Sequence, residues 1–225
     1  MRCLKFSNYS MPNHTQLRRS MSFDVAVIGG GHAGCEAALA SCRVGAKTCL
    51  ISDNYFTIGE MSCNPSFGGV GKGHLMLEVD ALDGVCARIC DQSGTHYRKL
   101  NESKGPALWG YRAQIDRQMY KSAMQEEIAR TKNLTFLAGN VEDIKFTFES
   151  NTGTKRIKGL VLASGNIVQC SCAVIATGTF LDANIFIGKE QLKAGRINDV
   201  NSEKLAASLV SIGFKVGRLK TGTIC

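Results

Sequence analysis

Residues 23–52 constrain the fold of this chain more tightly than any other stretch. Phe23–Ile28 is a short apolar run that ends in glycines, the pattern of a buried parallel strand. Gly29-x-Gly31-x-x-Gly34 follows, overlapping His32–Arg43, a small-residue, helix-prone segment that Gly45 ends. Lys47–Ser52 is a second apolar strand, so the order demands a right-handed βαβ crossover. In such a turn Gly29 permits the tight bend, Gly31 lets a pyrophosphate approach the backbone, and Gly34 lets helix pack closely on strand. The phosphates then meet free N–H groups at a positive helix end. Alone the glycine spacing is a weak signal; with its strands and helix it predicts a dinucleotide site.

The ribose-binding acid of such a site closes the second strand. Either Asp53 takes that role, or Ser52 bonds the ribose and Asp53 caps a turn. Farther on, Leu134–Ala138 reads as another buried strand, and Ile144–Glu149 with Arg156–Ala163 as an antiparallel hairpin around Asn151-Thr152-Gly153-Thr154. Ile167–Cys170 extends this β-meander, and Ala173–Thr177 returns to the parallel-strand pattern, ending in Gly178. A parallel sheet interrupted by a meander, with Ala176-Thr177-Gly178 at a strand end, favours FAD over NAD. The fold class expected is α/β: a Rossmann-like, glutathione-reductase-type FAD-binding domain with an inserted β-meander. Helices are expected from about His74 to Cys90, from Ala113 to Arg130 with Ile115, Met119 and Ala123 at i, i+4 spacing, and near Ser202–Ile212.

A chain of 225 residues can bury a substantial core and ordinarily forms one or two domains. No apolar run approaches a bilayer span, so no membrane partner is expected. The ten cysteines are scattered singly through apolar segments such as Thr48-Cys49-Leu50, which fits small buried hydrophobes in a reducing compartment. Cys86 and Cys90 share a helix face and Cys170 and Cys172 a strand face. Neither pair has a second ligand pair at zinc spacing, so no metal is expected.

The net charge of +8 is unevenly spread. Residues 1–22 carry Arg2, Lys5, Arg18 and Arg19 and no acid; without them 23 basic residues face 19 acidic ones. The remaining body is mildly basic and compatible with RNA. The segment 1–22 lacks a continuous apolar centre and reads as a mitochondrial transit leader, the alternative being a disordered start with Met21 as initiator. Residues 23–225 then form the domain proper.

Residues 60–74, Glu-Met-Ser-Cys-Asn-Pro-Ser-Phe-Gly-Gly-Val-Gly-Lys-Gly-His, carry the most specific chemistry. Gly71-Lys72-Gly73 is not a P-loop, because Ser66 stands five positions before Gly71 and Gly73 follows the lysine. The glycines instead let backbone lie close to a flavin, with Lys72 meeting an anion or the ring. His74 is either a proton donor or structural. Cys63 has polar and glycine neighbours, and Lys72 and a helix start nearby favour the reactive thiolate; the competing reading is packing.

These residues resemble the MnmG (GidA) family of flavoproteins, specifically its mitochondrial tRNA-modifying members. The resemblance runs through Gly29–Gly34, Met61–His74, Asn101–Ala107, Arg112–Arg117, Thr177–Leu181 and Gly217–Thr223. It implies FAD and an MnmE-type GTPase partner, with modification of C5 of the wobble uridine of certain tRNAs. A one-carbon unit from methylenetetrahydrofolate is joined there to an amine, taurine in animal mitochondria, and NADH can reduce the flavin. The pyrimidine is inert until a nucleophile adds or the incoming carbon is made electrophilic, so a cofactor supplies the hard chemistry. A single-stranded anticodon loop exposes its bases to such attack.

By position the resemblance makes Gly29, Gly30, Gly31, His32, Ala33 and Gly34 the pyrophosphate loop and Val141 and Ser202 FAD contacts. It makes Cys63 one of two functionally important cysteines. Lys104, Arg112 and Arg117 fall in matching motifs, as tRNA contacts, flavin contacts or buried ion pairs. Family members, homodimers at full length, continue past Lys220-Thr221-Gly222-Thr223, whereas Ile224 and Cys225 end this chain. The sequence therefore reads as the N-terminal, truncated part of such an enzyme, with a non-catalytic isoform as the alternative and an unrelated flavin oxidoreductase as a third reading.

Overall fold

A computed structural model describes residues 22–62, 64–149, 153–195 and 201–219. The leader, apart from Ser22, therefore lies outside the described residues, as do Cys63 and the Lys220–Thr223 end of the last motif. The main sheet has six strands in the order β6-β2-β1-β9-β8-β7. They are β1 (Ser22–Ile28), β2 (Thr48–Ser52), β6 (Leu134–Ala138), β7 (Val141–Phe148), β8 (Lys155–Leu162) and β9 (Ile167–Ile175). β1 pairs in parallel with β2 and β9, and β2 with β6, while β7, β8 and β9 form the antiparallel meander. The α/β class with an inserted meander is as the sequence led us to expect.

The parallel strands are covered on both faces, which explains their unbroken apolar sequences. Val27 and Leu50 face one core with Cys35, Ala38 and Leu39 of α1 (His32–Arg43) and Tyr120, Met124 and Ile128 of α4 (Arg117–Arg130). Ala26, Ile28, Cys49 and Ile51 face the other, with Leu205 and Leu209 of α5 (Glu203–Ile212). Cys170 is buried, yet Cys172, two residues on, is exposed.

Four local expectations are corrected. The stretch from His74 to Cys90 is two helices, α2 (Lys72–Ala81) and α3 (Val85–Ser93), broken at Leu82-Asp83-Gly84 where Asp83 has φ 64°. The new start is capped from a distance: the Glu36 carboxylate of α1 accepts from Val85 N at 3.2 Å and Cys86 N at 2.6 Å. No local sequence pattern reveals a cap drawn from another helix.

The helix expected from Ala113 begins at Arg117, because Ala113–Ile115 belong to a strand, β5 (Gly110–Ile115). Asp116 ends that strand and caps α4, its Oδ1 accepting from Gln118 N and Met119 N at 2.9 Å. The buried face is Tyr120, Met124 and Ile128, not the Ile115, Met119, Ala123 series; Met119 is 54% exposed. Ile167–Cys170 and Ala173–Ile175 are a single strand, β9, which serves both the meander and the parallel sheet.

Finally, the glycine-rich loop contains β3 (Ser66–Gly68), which joins β4 (Gly94–Leu100) and β5 in a separate sheet ordered β3-β5-β4. Phe67 and Ile115 of this sheet enter the α1-side core. A hairpin of β10 (Ile185–Ile187) and β11 (Glu190–Leu192) completes the strands. Among the described residues no helix is long and apolar enough to cross a membrane, and no cluster of His, Cys, Asp and Glu is disposed to hold a metal.

Candidate functional site

A cleft of about 330 Å³ opens at the carboxyl ends of β1, β2 and β9. This is where an open α/β sheet receives a ligand, between strands whose connections leave in opposite directions. Its lining includes Gly29, Gly30, Gly31, Ser52, Asp53, Val141 and Ser202, so most of the cofactor residues read from the sequence or its resemblance converge here.

The three spaced glycines are required for three different reasons. Gly29 has φ 106°, and a Cβ there would lie 2.4 Å from the Ala176 carbonyl oxygen. A Cβ on Gly34 would lie 1.8 Å from the Gly29 oxygen, so α1 sits against the turn only because that position has no side chain. Gly31 is ordinary in backbone, at φ −74° and ψ −174°, and its missing Cβ would meet nothing within 4 Å. Protein packing does not call for glycine at that position; open approach to the backbone does. Gly31 caps α1 without a side-chain hydrogen bond, and no acid occupies the first turn. The N–H groups and the positive helix end are therefore unopposed by protein side chains at this turn.

Around this loop the backbone is fixed. Gly29 N donates to Ile51 O at 2.8 Å, Ala176 N to Ile28 O at 2.8 Å, and Gly59 N to Gly30 O at 2.9 Å. Ser52 and Asp53 both line the cleft, and the turn that follows is capped by Asn54, whose Oδ1 accepts from Phe56 N at 2.9 Å. Sequence reasoning missed Glu60, Asn140 and Phe180 as lining residues. Glu60 enters because Gly59, at φ 71°, turns the chain back toward the loop, and Asn140 because it follows the end of β6. The signals available were Gly59 and Gly139, both at positive φ.

The other site residues lie elsewhere. The His32 ring packs edge-on against Phe67 at 4.9 Å between centroids and against Tyr120 at 5.5 Å. Burial, and secondarily the Lys72 charge, lowers its pKa to about 4, so the imidazole is neutral at physiological pH. Ala33 is exposed in the first turn of α1. Lys72 begins α2 with Nζ 4.8 Å from the Phe67 ring centre, and His74 is half-buried two residues on. Lys104 is exposed in a short 3₁₀ turn, Arg112 donates to Ser66 Oγ at 3.1 Å, and Arg117 opens α4. None of these residues lines the cleft; apart from Ala33, they lie in or near the β3-β5-β4 sheet.

The profile of the family described as Glucose inhibited division protein A matches residues 24–225. This chain belongs to the GidA family. It is 57% identical over 207 residues to the 5-taurinomethyluridine-[tRNA] synthase subunit MTO1, mitochondrial, of Macaca fascicularis, covering 91% of this chain and 30% of that protein. It is 47% identical over 203 residues to the tRNA uridine 5-carboxymethylaminomethyl modification enzyme MnmG of Granulibacter bethesdensis, covering 90% and 32%. The solved structure of Aquifex aeolicus GidA superposes with a TM-score of 0.80 at 39% identity, over 87% of this chain and 31% of that one. The chain thus spans about a third of the length of these relatives.

Within this GidA-family chain most described thiols are inert. Cys35 and Cys49 are fully buried, and burial raises both pKa values to about 12. Burial likewise raises Cys170 to about 11. Cys86 departs from them: hydrogen bonding with Cys90 lowers its pKa, against the burial that opposes ionisation, and the Tyr120 hydroxyl donates to its Sγ at 3.4 Å. The packing role read from the sequence holds for the buried thiols. Cys63 lies outside the described residues.

Proposed function

We propose that this chain is the FAD-binding part of an enzyme that modifies C5 of the wobble uridine of mitochondrial tRNA. The observation that carries the cofactor is the Gly31 position, where only access from outside explains the absence of a side chain. The residues present fit the group: uncapped amides at α1 for the pyrophosphate, Ser52 or Asp53 for the ribose, and Val141 and Ser202 along the rest of the cleft. When bound, FAD supplies the redox capacity that uridine chemistry lacks. The protein's own contribution is to bind and orient. Burial of Ile28 and Ile51 fixes the strand ends, and the glycine turn presents amides rather than a side chain.

Within this reading the mitochondrial substrate follows from the relatives' names, and residues 1–22 are the targeting leader of the domain at 23–225. The amine-bearing carbon is drawn from methylenetetrahydrofolate, NADH reduces the flavin, an MnmE-type GTPase is the partner, and the assembly is a homodimer. Cys63 is the nucleophilic or redox thiol. Changing Cys63→Ser in a full-length counterpart keeps bound flavin while abolishing most tRNA modification, since a hydroxyl without a dedicated base is a far poorer nucleophile. Modification at the wild-type rate by a flavin-loaded Ser variant would remove that role.

The cofactor assignment is tested directly by the visible absorbance of the purified chain and of Gly31→Val. We expect flavin in the first and loss of at least tenfold in FAD affinity in the second, with the thermal midpoint of the flavin-free protein unchanged. Equal flavin affinity in the two proteins contradicts the assignment. A chain that holds flavin but leaves tRNA unmodified, with or without the GTPase, is the non-catalytic alternative.

A further inference from the structure

The antiparallel register of the β3-β5-β4 sheet sets two arginines directly opposite each other. Arg98 on β4 pairs with Arg112 on β5, both exposed. Cross-strand partners project to the same side of a sheet. Phe67 and Ala113, partners of each other, face the core, and Tyr97, the partner of Ala113 on β4, reaches the Cys90 carbonyl at 3.2 Å. The arginines, one residue on along each strand, therefore project from the opposite, solvent side. His96 and Gln114, also paired and exposed, flank them on that side.

Like charges directly opposite destabilise a sheet, and protein usually relieves them with a nearby carboxylate. Elsewhere in the described chain it does so. Arg43, Arg88, Arg130, Arg156 and Arg218 each pair with an acid. Among the described residues neither Arg98 nor Arg112 makes an ion pair, and the only hydrogen bond of the Arg112 guanidinium is to Ser66 Oγ at 3.1 Å. The nearby acids are engaged otherwise or bond neither arginine: Glu102 pairs with Lys99 at 3.4 Å, Asp116 caps α4, and Asp80 and Asp91 line one cleft with Arg98 and Arg112 without an ion pair to either. Residues 94–117 hold five basic side chains against two acidic ones.

We propose that Arg98 and Arg112 are a phosphodiester clamp for RNA. The proposal rests on the RNA-modifying reading given above and deepens it by assigning the backbone contact to this sheet. Two guanidinium forks side by side offer paired N–H donors to adjacent phosphates, a match that a fork makes better than a point charge. His96 and Gln114, neutral donors and acceptors beside them, suit sugar hydroxyls. Such contacts fix position on the RNA and carry no sequence preference.

The test is fluorescence anisotropy of a labelled RNA stem–loop with the 225-residue chain across a salt series, beside Arg98→Ala/Arg112→Ala and Arg98→Lys/Arg112→Lys double variants. The alanine pair should weaken binding at least tenfold and flatten the log–log salt slope by about 2, one released counterion per lost phosphate contact. The lysine pair should restore the slope but not the full affinity. The thermal midpoint of the alanine pair should stay level or rise, because an unrelieved repulsion is removed. Wild-type affinity and slope in the alanine pair, or no RNA binding by the wild type, overturns the clamp. So does equal displacement of the RNA by polyglutamate, which would make the pair a docking point for an acidic protein. Flavin absorbance read in the same samples separates the two proposals: loss of RNA binding with flavin retained supports the clamp alone, and absent flavin with intact RNA binding undermines only the cofactor reading.

Discussion

The dinucleotide cleft and the β3-β5-β4 sheet are built on opposite principles. At the cleft the proposed binding groups are backbone amides, and buried strands and a helix hold that backbone in place. Gly29 and Gly34 are glycine because neighbouring carbonyl oxygens stand 2.4 Å and 1.8 Å from where a Cβ would be. On the sheet's outer face the proposed contacts belong to long exposed side chains, with Arg98 directly opposite Arg112 across the strands. The first region couples function to stability, since what shapes the site also closes the core. The second separates them, because the proposed contacts come from exposed side chains outside the core clusters.

That contrast is most sharply broken or upheld by Gly34→Ala. One methyl group meets backbone, not the yielding end of a side chain, so α1 must leave the strand it packs on. We expect a loss of about 4 kcal/mol or more in chemical denaturation, among the largest single-site effects. Gly31→Ala, three residues earlier and with open space around its Cβ, should change stability by less than about 0.5 kcal/mol. Similar losses at the two positions would mean that the cleft is not organised as described.

The same contrast explains what was legible in the sequence. The glycine turn, β1, α1, β2 and the meander could be read because burial on two faces and forced backbone angles leave few permitted residues. The small sheet could not. Gly94–Leu100 (Gly-Thr-His-Tyr-Arg-Lys-Leu) shows no clear apolar alternation, since none of its residues is buried. Ala113 and Ile115 were absorbed into a helical spacing that in fact begins two residues later, at Arg117. The break between α2 and α3 was hidden because its cap, Glu36, is 49 residues away in sequence from Val85. Local pattern reports local constraint, and the unread elements are those fixed by contacts between distant residues.

His32 joins the two regions, starting α1 at the cleft while its ring packs on Phe67 of the small sheet. Burial first, and the Lys72 charge second, depress its pKa from 6.5 to about 4. Between those values the unfolded chain binds a proton that the folded chain excludes, so stability falls as pH drops through that window. The loss should approach about 3 kcal/mol near pH 4, the size of the shift at 1.36 kcal/mol per unit. Urea denaturation at pH 7.5 and 4.5 measures it. His32→Phe, which keeps the aromatic contacts and removes the proton site, should flatten this part of the profile. An unchanged pH slope in that variant would show that the ring is open to solvent and that the two regions are not joined through it.

The smallest expected effect lies where the small sheet hands over to α4. Asp116 N donates to Ser93 O at 2.8 Å, while its side chain accepts the amides of Gln118 and Met119 at 2.9 Å. Asp116→Ala removes those two acceptor contacts and leaves the first-turn amides of α4 to water, at a cost of about 1 kcal/mol. For a domain of this size that is a fall of roughly 2–4 °C in thermal midpoint. The buried face of α4, Tyr120, Met124 and Ile128, starts one turn farther on and keeps the helix docked. FAD affinity should therefore be unchanged, because the cleft draws its shape from β1, β2 and β9. Flavin loss matching that of Gly31→Val would sink the separation, since a frayed cap on the far side of the small sheet would then be acting through the whole α1-side core.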